Sequence, residues 1–287
     1  MMPPPTGLPS RSLRRSAFEA FHLKIAVAGK GGVGKTFVAG TLARLFSRDG
    51  YSVLAVDADP DINLFSTLGI ERAVAEKIVP LSENDTLIAD RTGATPDSSY
   101  GQLFKLTPRV EDLVEKYGVT GPDGVRLLVM GTVKGGGTGC MCPANALLRV
   151  LLQHLLIQRR EIVILDMAAG LEHLGRGTAR RVEAMLSITE PSMKSVETTR
   201  RVLALSRDLE IPEVLAIGNK IEGEEDRLFV EKAMKELGIT VAAYIPYDPT
   251  ISEADMRGVS PLDYGTSSPA IKAVVELKED LKRRYGI

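Results

Sequence analysis

The sequence predicts a single α/β domain whose mainly parallel, twisted sheet is covered by helices on both faces. Three observations predict it. Short apolar runs alternate with helical patterns nearly to the end of the chain, as strand–helix–strand crossovers require. A glycine-rich string, Gly29-Lys30-Gly31-Gly32-Val33-Gly34-Lys35-Thr36, lies between the first apolar run and the first helical pattern. Two further apolar runs end in Asp57 and Asp166, and carboxylates at the carboxyl ends of parallel strands sit beside the ligand crevice.

Composition agrees with one large domain. The chain has 287 residues, 44% hydrophobic and 25% charged, which is ordinary for a globular protein and enough to bury a core without disulfide staples. The net charge of −1 carries no nucleic-acid footprint. No apolar run approaches a membrane span, so neither nucleic acid nor stable membrane association is expected. The two cysteines, Cys140 and Cys142, are too close for a disulfide framework. They fit metal or redox chemistry in a reducing compartment, hence a cytoplasmic protein. Residues 1–22 are rich in Pro and Ser, carry Arg11, Arg14 and Arg15, and lack the apolar core of a signal peptide. They are expected to form a disordered extension, leaving 23–287 as the domain.

Taken in order, strands are expected at 23–28, 52–57, 125–131, 161–166, 184–189, 213–219 and 241–245. Helices are expected near 34–48, 142–159, 194–209, 225–237 and 268–285. The stretch 70–124 breaks this rhythm with weak periodicity and scattered Gly and Pro. It reads as an excursion from the sheet with short helices or strands, the space over the site being one place for it. No internal repeat and no second glycine loop occur.

The first strand, loop and helix carry the phosphate-cradle motif, which makes the expected fold that of a P-loop NTPase. Gly29, Gly31, Gly32 and Gly34 let the backbone, Val33 included, bend around a phosphate and aim its N–H groups inward. The helix beginning near Gly34 adds the positive end of its dipole. Lys35 is placed to reach the β- and γ-phosphates, and the Thr36 hydroxyl to ligate Mg²⁺. Behind such a loop, Glu161-Ile162-Val163-Ile164-Leu165-Asp166 reads as the strand whose acid holds Mg²⁺, directly or through a water. Gly170 in the following segment allows the backbone to rearrange when a phosphate leaves, with Glu172 and His173 beside it. Asn219-Lys220 ends the sixth strand. Asn219 can hydrogen-bond an adenine edge and the Lys220 stem can cover the ring. GTPases carry Asn-Lys-x-Asp here, whereas this chain has Glu222 in place of the Asp, which leans to adenine. Pro246-Tyr247-Asp248 supplies the opposite wall of the base pocket, and Phe37 completes the nucleotide set.

The second informative string is Gly135-Gly136-Gly137-Thr138-Gly139-Cys140-Met141-Cys142-Pro143. Pro143 suits the first position of the next helix, which puts Cys142 near its N-cap. A helix N-terminus favours the metal-binding thiolate. Two cysteines cannot complete a four-thiolate site, but two copies of the chain can, with the two-fold axis through the metal. The pair therefore predicts a homodimer together with Ni²⁺ or Zn²⁺ at its interface. Nickel favours square-planar and zinc tetrahedral coordination. Two inert buried cysteines are the bland alternative. The following helix, which carries His154, presents Leu147, Leu148, Leu151, Leu152 and Leu155 as a core stripe.

The loop string, with Lys30 just after the first glycine, resembles the deviant P-loop of the ATPase class that includes the septum-site ATPase MinD, the plasmid-partition ATPase ParA and the nitrogenase iron protein. The resemblance implies that Lys30 crosses a dimer to the partner's nucleotide. It also implies that Asp59, within Asp57-Ala58-Asp59-Pro60-Asp61-Ile62-Asn63-Leu64, orients or deprotonates the attacking water. Lys30, Lys35 and Asp59 are then the catalytic set, and Asp57 holds the loop. More narrowly, Arg91-Thr92-Gly93-Ala94, Gly131-Thr132-Val133, Cys140-Met141-Cys142-Pro143 and Gly170-Leu171-Glu172-His173 resemble the carbon-monoxide-dehydrogenase maturation ATPases, the CooC type of nickel-insertion protein. That resemblance implies ATP hydrolysis at a dimer interface, a Cys140/Cys142 metal site, and delivery of nickel to carbon monoxide dehydrogenase as client. Phe37 departs from the class, which more often has a small or β-branched polar residue there, but the departure spares the Mg²⁺ ligand. Two other readings accompany it. One is a MinD/ParA-like positioning ATPase, opposed by a last helix whose stripe suits a core and whose acids suit no anionic lipid. The other is an iron–sulfur carrier, which also takes four thiolates.

Overall fold

The computed structural model describes residues 23–94, 103–132, 142–157, 159–168, 181–265 and 267–287. The 1–22 extension, Cys140 with the glycine run before it, and the stretch from Gly170 to His173 lie outside them. Eight strands form one sheet: β1 (Leu23–Gly29), β2 (Val53–Ala58), β3 (Val119–Thr120), β4 (Arg126–Val129), β5 (Ile162–Met167), β6 (Ala184–Thr189), β7 (Val214–Ile221) and β8 (Thr240–Pro246). Their order across the sheet is β3-β4-β2-β5-β1-β6-β7-β8. The pairing of β3 with β4 is antiparallel and the remaining pairs are parallel.

The seven expected strands are all present, displaced by a residue or two at their ends. The eighth, β3, is two residues long, too short to leave a periodic signal. Strands β1, β2, β5 and β6 are buried along their whole length, as apolar runs sandwiched between helical layers must be. Alternate side chains point to opposite faces. Leu23, Ile25 and Val27 join one core with α1 (Lys35–Arg48) and α11 (Pro269–Tyr285). Ala26 and Ala28 join another with α6 (Cys142–Ile157). The α6 stripe of Leu147, Leu148, Leu151, Leu152 and Leu155 is fully buried, and each such side chain contributes roughly 1.5–3 kcal/mol. A third, smaller cluster lies under α8 (Glu224–Leu237), where Val230 and Met234 pack on Ala216. Helix α7 (Met193–Asp208) covers β6 and β1.

After α2 (Leu64–Leu68), the excursion at 70–124 holds α3 (Arg72–Ala75), α4 (Asp85–Thr92) and α5 (Leu113–Tyr117). Leu81, Leu87, Ile88, Leu113 and Val114 from it enter the same core as α6. Its described part is therefore a wall of the domain, held by packing, rather than a cover over the crevice.

Two helices absent from the sequence reading follow β8. Helix α9 (Pro249–Met256) is capped by Asp248, whose Oδ1 accepts from the Thr250 N–H at 2.9 Å, with Pro249 in the first turn. Helix α10 (Pro261–Tyr264) comes next. The Asp248 carboxylate also accepts from the Ser268 hydroxyl at 2.5 Å, and Ser268 caps α11 through the Ile271 N–H. One acid thus fixes the start of both helices. Arg44, 2% exposed, ties α1 to the turn at Asp123 (2.8 Å) and to Ser260 and Asp263 beside α10.

Candidate functional site

The parallel register brings the carboxyl ends of β1, β2 and β5 together: Asp57 stands opposite Asp166, and Asp166 opposite Val27. Between β1 and α1 lies the glycine loop. Gly29 has φ +158°, and a Cβ there would stand 2.6 Å from the Ile188 carbonyl oxygen. Gly34 has φ +95°, and its Cβ would meet the Asn219 Nδ2 at 2.3 Å. Both positions accept glycine alone, for backbone and for space. Helix α1 starts directly after Gly34 with no side-chain cap, so its first N–H groups remain available to an anion.

These elements border a cavity of about 650 Å³ lined by Gly29, Gly31, Gly32, Gly34, Lys35, Thr36 and Phe37, with Asp59, Asp61 and Asn63 facing the loop. A slot of about 70 Å³ adjoins it, lined by Phe37, Asn219, Lys220, Pro246 and Tyr247. Gly34, Phe37 and Lys220 border both spaces. Val33 is buried as a core residue and serves through its carbonyl, which accepts from Asn219 Nδ2 at 2.7 Å. Asn219 thus braces the loop with one amide hydrogen, a role the sequence did not suggest. Lys220, at φ +58°, lays its ammonium on the Gly32 carbonyl at 2.8 Å.

The charged groups are arranged in pairs. Lys35 Nζ lies 3.3 Å from Asp59 Oδ2, both side chains nearly buried. Lys30 Nζ lies 3.2 Å from Glu190 Oε1 at the end of β6. Asp57 is fully buried; its carboxylate accepts from the N–H groups of Asp59, Asn63 and Leu64 at 3.3, 3.2 and 3.0 Å. Its own carbonyl accepts from the N–H groups of Met130 and Gly131 at 2.9 and 3.2 Å. Burial first, then the Asp166 charge, pushes the Asp57 carboxyl up to about 7. Asp166 is 1% exposed, and neither of its oxygens has a hydrogen-bond partner among the described residues. Burial raises it to about 6, with the Thr36 hydroxyl and the Lys35 ammonium pulling the other way. A desolvated, unpartnered carboxylate beside a threonine hydroxyl suits a hard divalent cation with oxygen ligands. The Mg²⁺ expected from the sequence fits this donor set.

A model of the CobQ/CobB/MinD/ParA nucleotide-binding domain matches residues 24–262. The chain belongs to that family. An uncharacterized ATP-binding protein of Methanocaldococcus jannaschii is 46% identical over 82% of this chain and 90% of its own length. The carbon monoxide dehydrogenase accessory protein CooC of Rhodospirillum rubrum is 41% identical over 87% of this chain and 92% of its own. Among solved structures, the septum site-determining protein MinD of Pyrococcus horikoshii, complexed with Mg-ADP, superposes with a TM-score of 0.66. It covers 93% of this chain and 98% of that one at 22% identity, a likeness of fold.

As a CobQ/CobB/MinD/ParA domain the chain is a P-loop enzyme that hydrolyses a nucleotide. Its expected site residues gather at one end of the sheet, apart from Cys140, which lies outside the described residues, and Cys142, seen as the first residue of α6. Glu190, which pairs with Lys30, and the cavity-lining α9 residues Ile251, Ser252 and Asp255 were not read from the sequence. Glu190 bore the same signal as Asp57 and Asp166, an acid closing an apolar strand. Asp248-Pro249 bore that of a capped helix start.

Proposed function

We propose that this chain is an ATP-hydrolysing accessory protein of carbon monoxide dehydrogenase maturation, working in the cytoplasm as a homodimer that carries nickel on Cys140 and Cys142. The observation that carries this reading is the 41% identity to CooC along 92% of that protein's length, on a chain with the Cys-Met-Cys-Pro string.

The residues take the following parts. The loop glycines and the α1 N-terminus receive the phosphates; Phe37, Asn219, Lys220 and Pro246 border the base. Lys35 neutralises phosphate charge and, by leaving Asp59, frees that carboxylate to orient water. Thr36 and Asp166 hold Mg²⁺, which supplies charge neutralisation at the phosphates. Lys30 serves the nucleotide of the partner subunit. Among the described residues no cluster of three or more His, Cys, Asp or Glu side chains is placed to hold a metal; Cys140 lies outside them. No described helix is long and apolar enough to cross a membrane.

The test is metal content per dimer, with and without a non-hydrolysable ATP analogue. Wild type is expected to bind about one nickel or zinc per two chains in the presence of the analogue, and the Cys140→Ala/Cys142→Ala protein none. Equal metal in the two proteins would exclude the cysteine site.

A further inference from the structure

Glu190 has no part in the chemistry above, yet it is the common counter-ion of two lysines at the loop. One carboxylate oxygen lies 3.2 Å from Lys30 Nζ and the other 3.8 Å from Lys220 Nζ. The carboxylate is not free to drift. The Ser192 hydroxyl donates to Oε1 at 3.3 Å. The Glu190 N–H donates to the hydroxyl of Ser195, a fully buried residue, at 3.1 Å. Ser192 in turn caps α7. The acid is thereby tied to the strand end by its backbone and to the helix start by its carboxylate, while Lys30 is 38% exposed along its side chain.

We propose that Glu190 is a positioning residue that keeps Lys30 folded onto its own subunit until phosphate oxygens replace the carboxylate as its partner. The proposal rests on the reading of Lys30 as a ligand to the other subunit's nucleotide. The charge argument is local. Each lysine at the loop is matched to an acid here, Lys35 to Asp59 and the Lys30–Lys220 couple to Glu190. Polyphosphate entering the cavity competes with those acids for the same ammonium groups. Because Glu190 is anchored and cannot follow, Lys30 exchanges partners instead of carrying the acid along. The pair is partly solvated, so the hold is weak enough to be reversed by a charge-assisted contact to phosphate.

The experiment uses the full chain, without nucleotide, and acetic anhydride as an amine probe, with acetylation of each lysine read by peptide mass spectrometry. In Glu190→Gln, Lys30 acetylation is expected to rise about two- to fivefold over wild type, the range an exposed ion pair supports. Lys35, paired to Asp59, should keep its wild-type rate. Association measured by sedimentation with a non-hydrolysable ATP analogue should tighten by a similar factor. An unchanged Lys30 rate, or an equal rise at Lys30 and Lys35, overturns the proposal, the latter because it reports general loosening. Weaker association of Glu190→Gln also overturns it. If Glu190→Gln lowers the melting temperature, Glu190→Asp serves in its place. It keeps the charge and the backbone bond to Ser195 but withdraws the carboxylate by one methylene, and the same rise at Lys30 is expected. Identical analogue-driven association of wild type and Lys30→Ala would instead sink the cross-subunit reading, and the release step with it. The acetylation result for Glu190 is independent of that reading.

Discussion

At the scale of single residues, burial decides which charges are available for chemistry. Asp166 is desolvated, without a hydrogen-bond partner among the described residues, and opposite the buried Asp57. Asp166→Asn removes that charge without changing shape. The nucleotide-free variant is expected to melt a few degrees higher, while kcat for ATP falls about 10²- to 10³-fold, as loss of a preorganised electrostatic group does. Calorimetry and a phosphate-release assay check the two halves. Lys24, 1% exposed, donates to the carbonyls of Arg159 and Glu161 at 2.8 and 2.7 Å, and burial lowers its pKa from 10.5 to about 8. The unfolded chain therefore binds more protons than the folded one between these values, so this lysine's contribution to stability rises with pH across that window. Below pH 8 its full desolvation penalty is present. Urea titrations from pH 8 to 10.5 should show wild type gaining on Lys24→Met, and a pH-independent difference would refute the assignment.

Among the elements, those with strong local signals were legible and those made by long-range packing were not. The loop, α1 and the apolar strands follow directly from spacing and periodicity. The register that sets Asp57 against Asp166 was readable only as two acids at strand ends. The part of 70–124 that packs on α6 could not be told from a cover, because its apolar residues follow no period and find their partners across the fold. Helix α9 was missed although Asp248-Pro249 marks its start, since its eight residues carry little amphipathic pattern. Gly34 illustrates an element held by one atom's absence. Gly34→Ala places a methyl against Asn219 and adds about 1–2 kcal/mol of left-handed backbone strain. Nucleotide affinity is expected to fall by more than tenfold in a fluorescent-nucleotide titration, with the melting temperature lowered. Unaltered affinity would contradict the close approach.

For the whole molecule, a polar tie supplements the shared apolar core where the outer layer meets the nucleotide helix. Arg44 connects α1 to the turn at Asp123 and to α10. Arg44→Met leaves Asp123 and Asp263 without their buried partner. Because both acids reach solvent, with side chains 24% and 47% exposed, the cost falls below that of a fully buried pair. A loss of about 2 kcal/mol in urea denaturation is expected, and less than about 0.5 kcal/mol would show the tie to be idle. The cysteine pair belongs to this scale too. Its spacing predicted two subunits sharing a metal, and Cys140 lies outside the described residues.

Asp57 grips two stretches of chain at once, the aspartate loop by its side chain and the Met130–Gly131 bend by its main chain. In the sequence, Met130 and Gly131 stand shortly before Cys140 and Cys142. Mechanically Asp57 is a shared pivot between the Asp59–Leu64 stretch and the chain leaving β4. On the proposed function, lesions at this spot should blur fuel consumption and cargo handling into one phenotype.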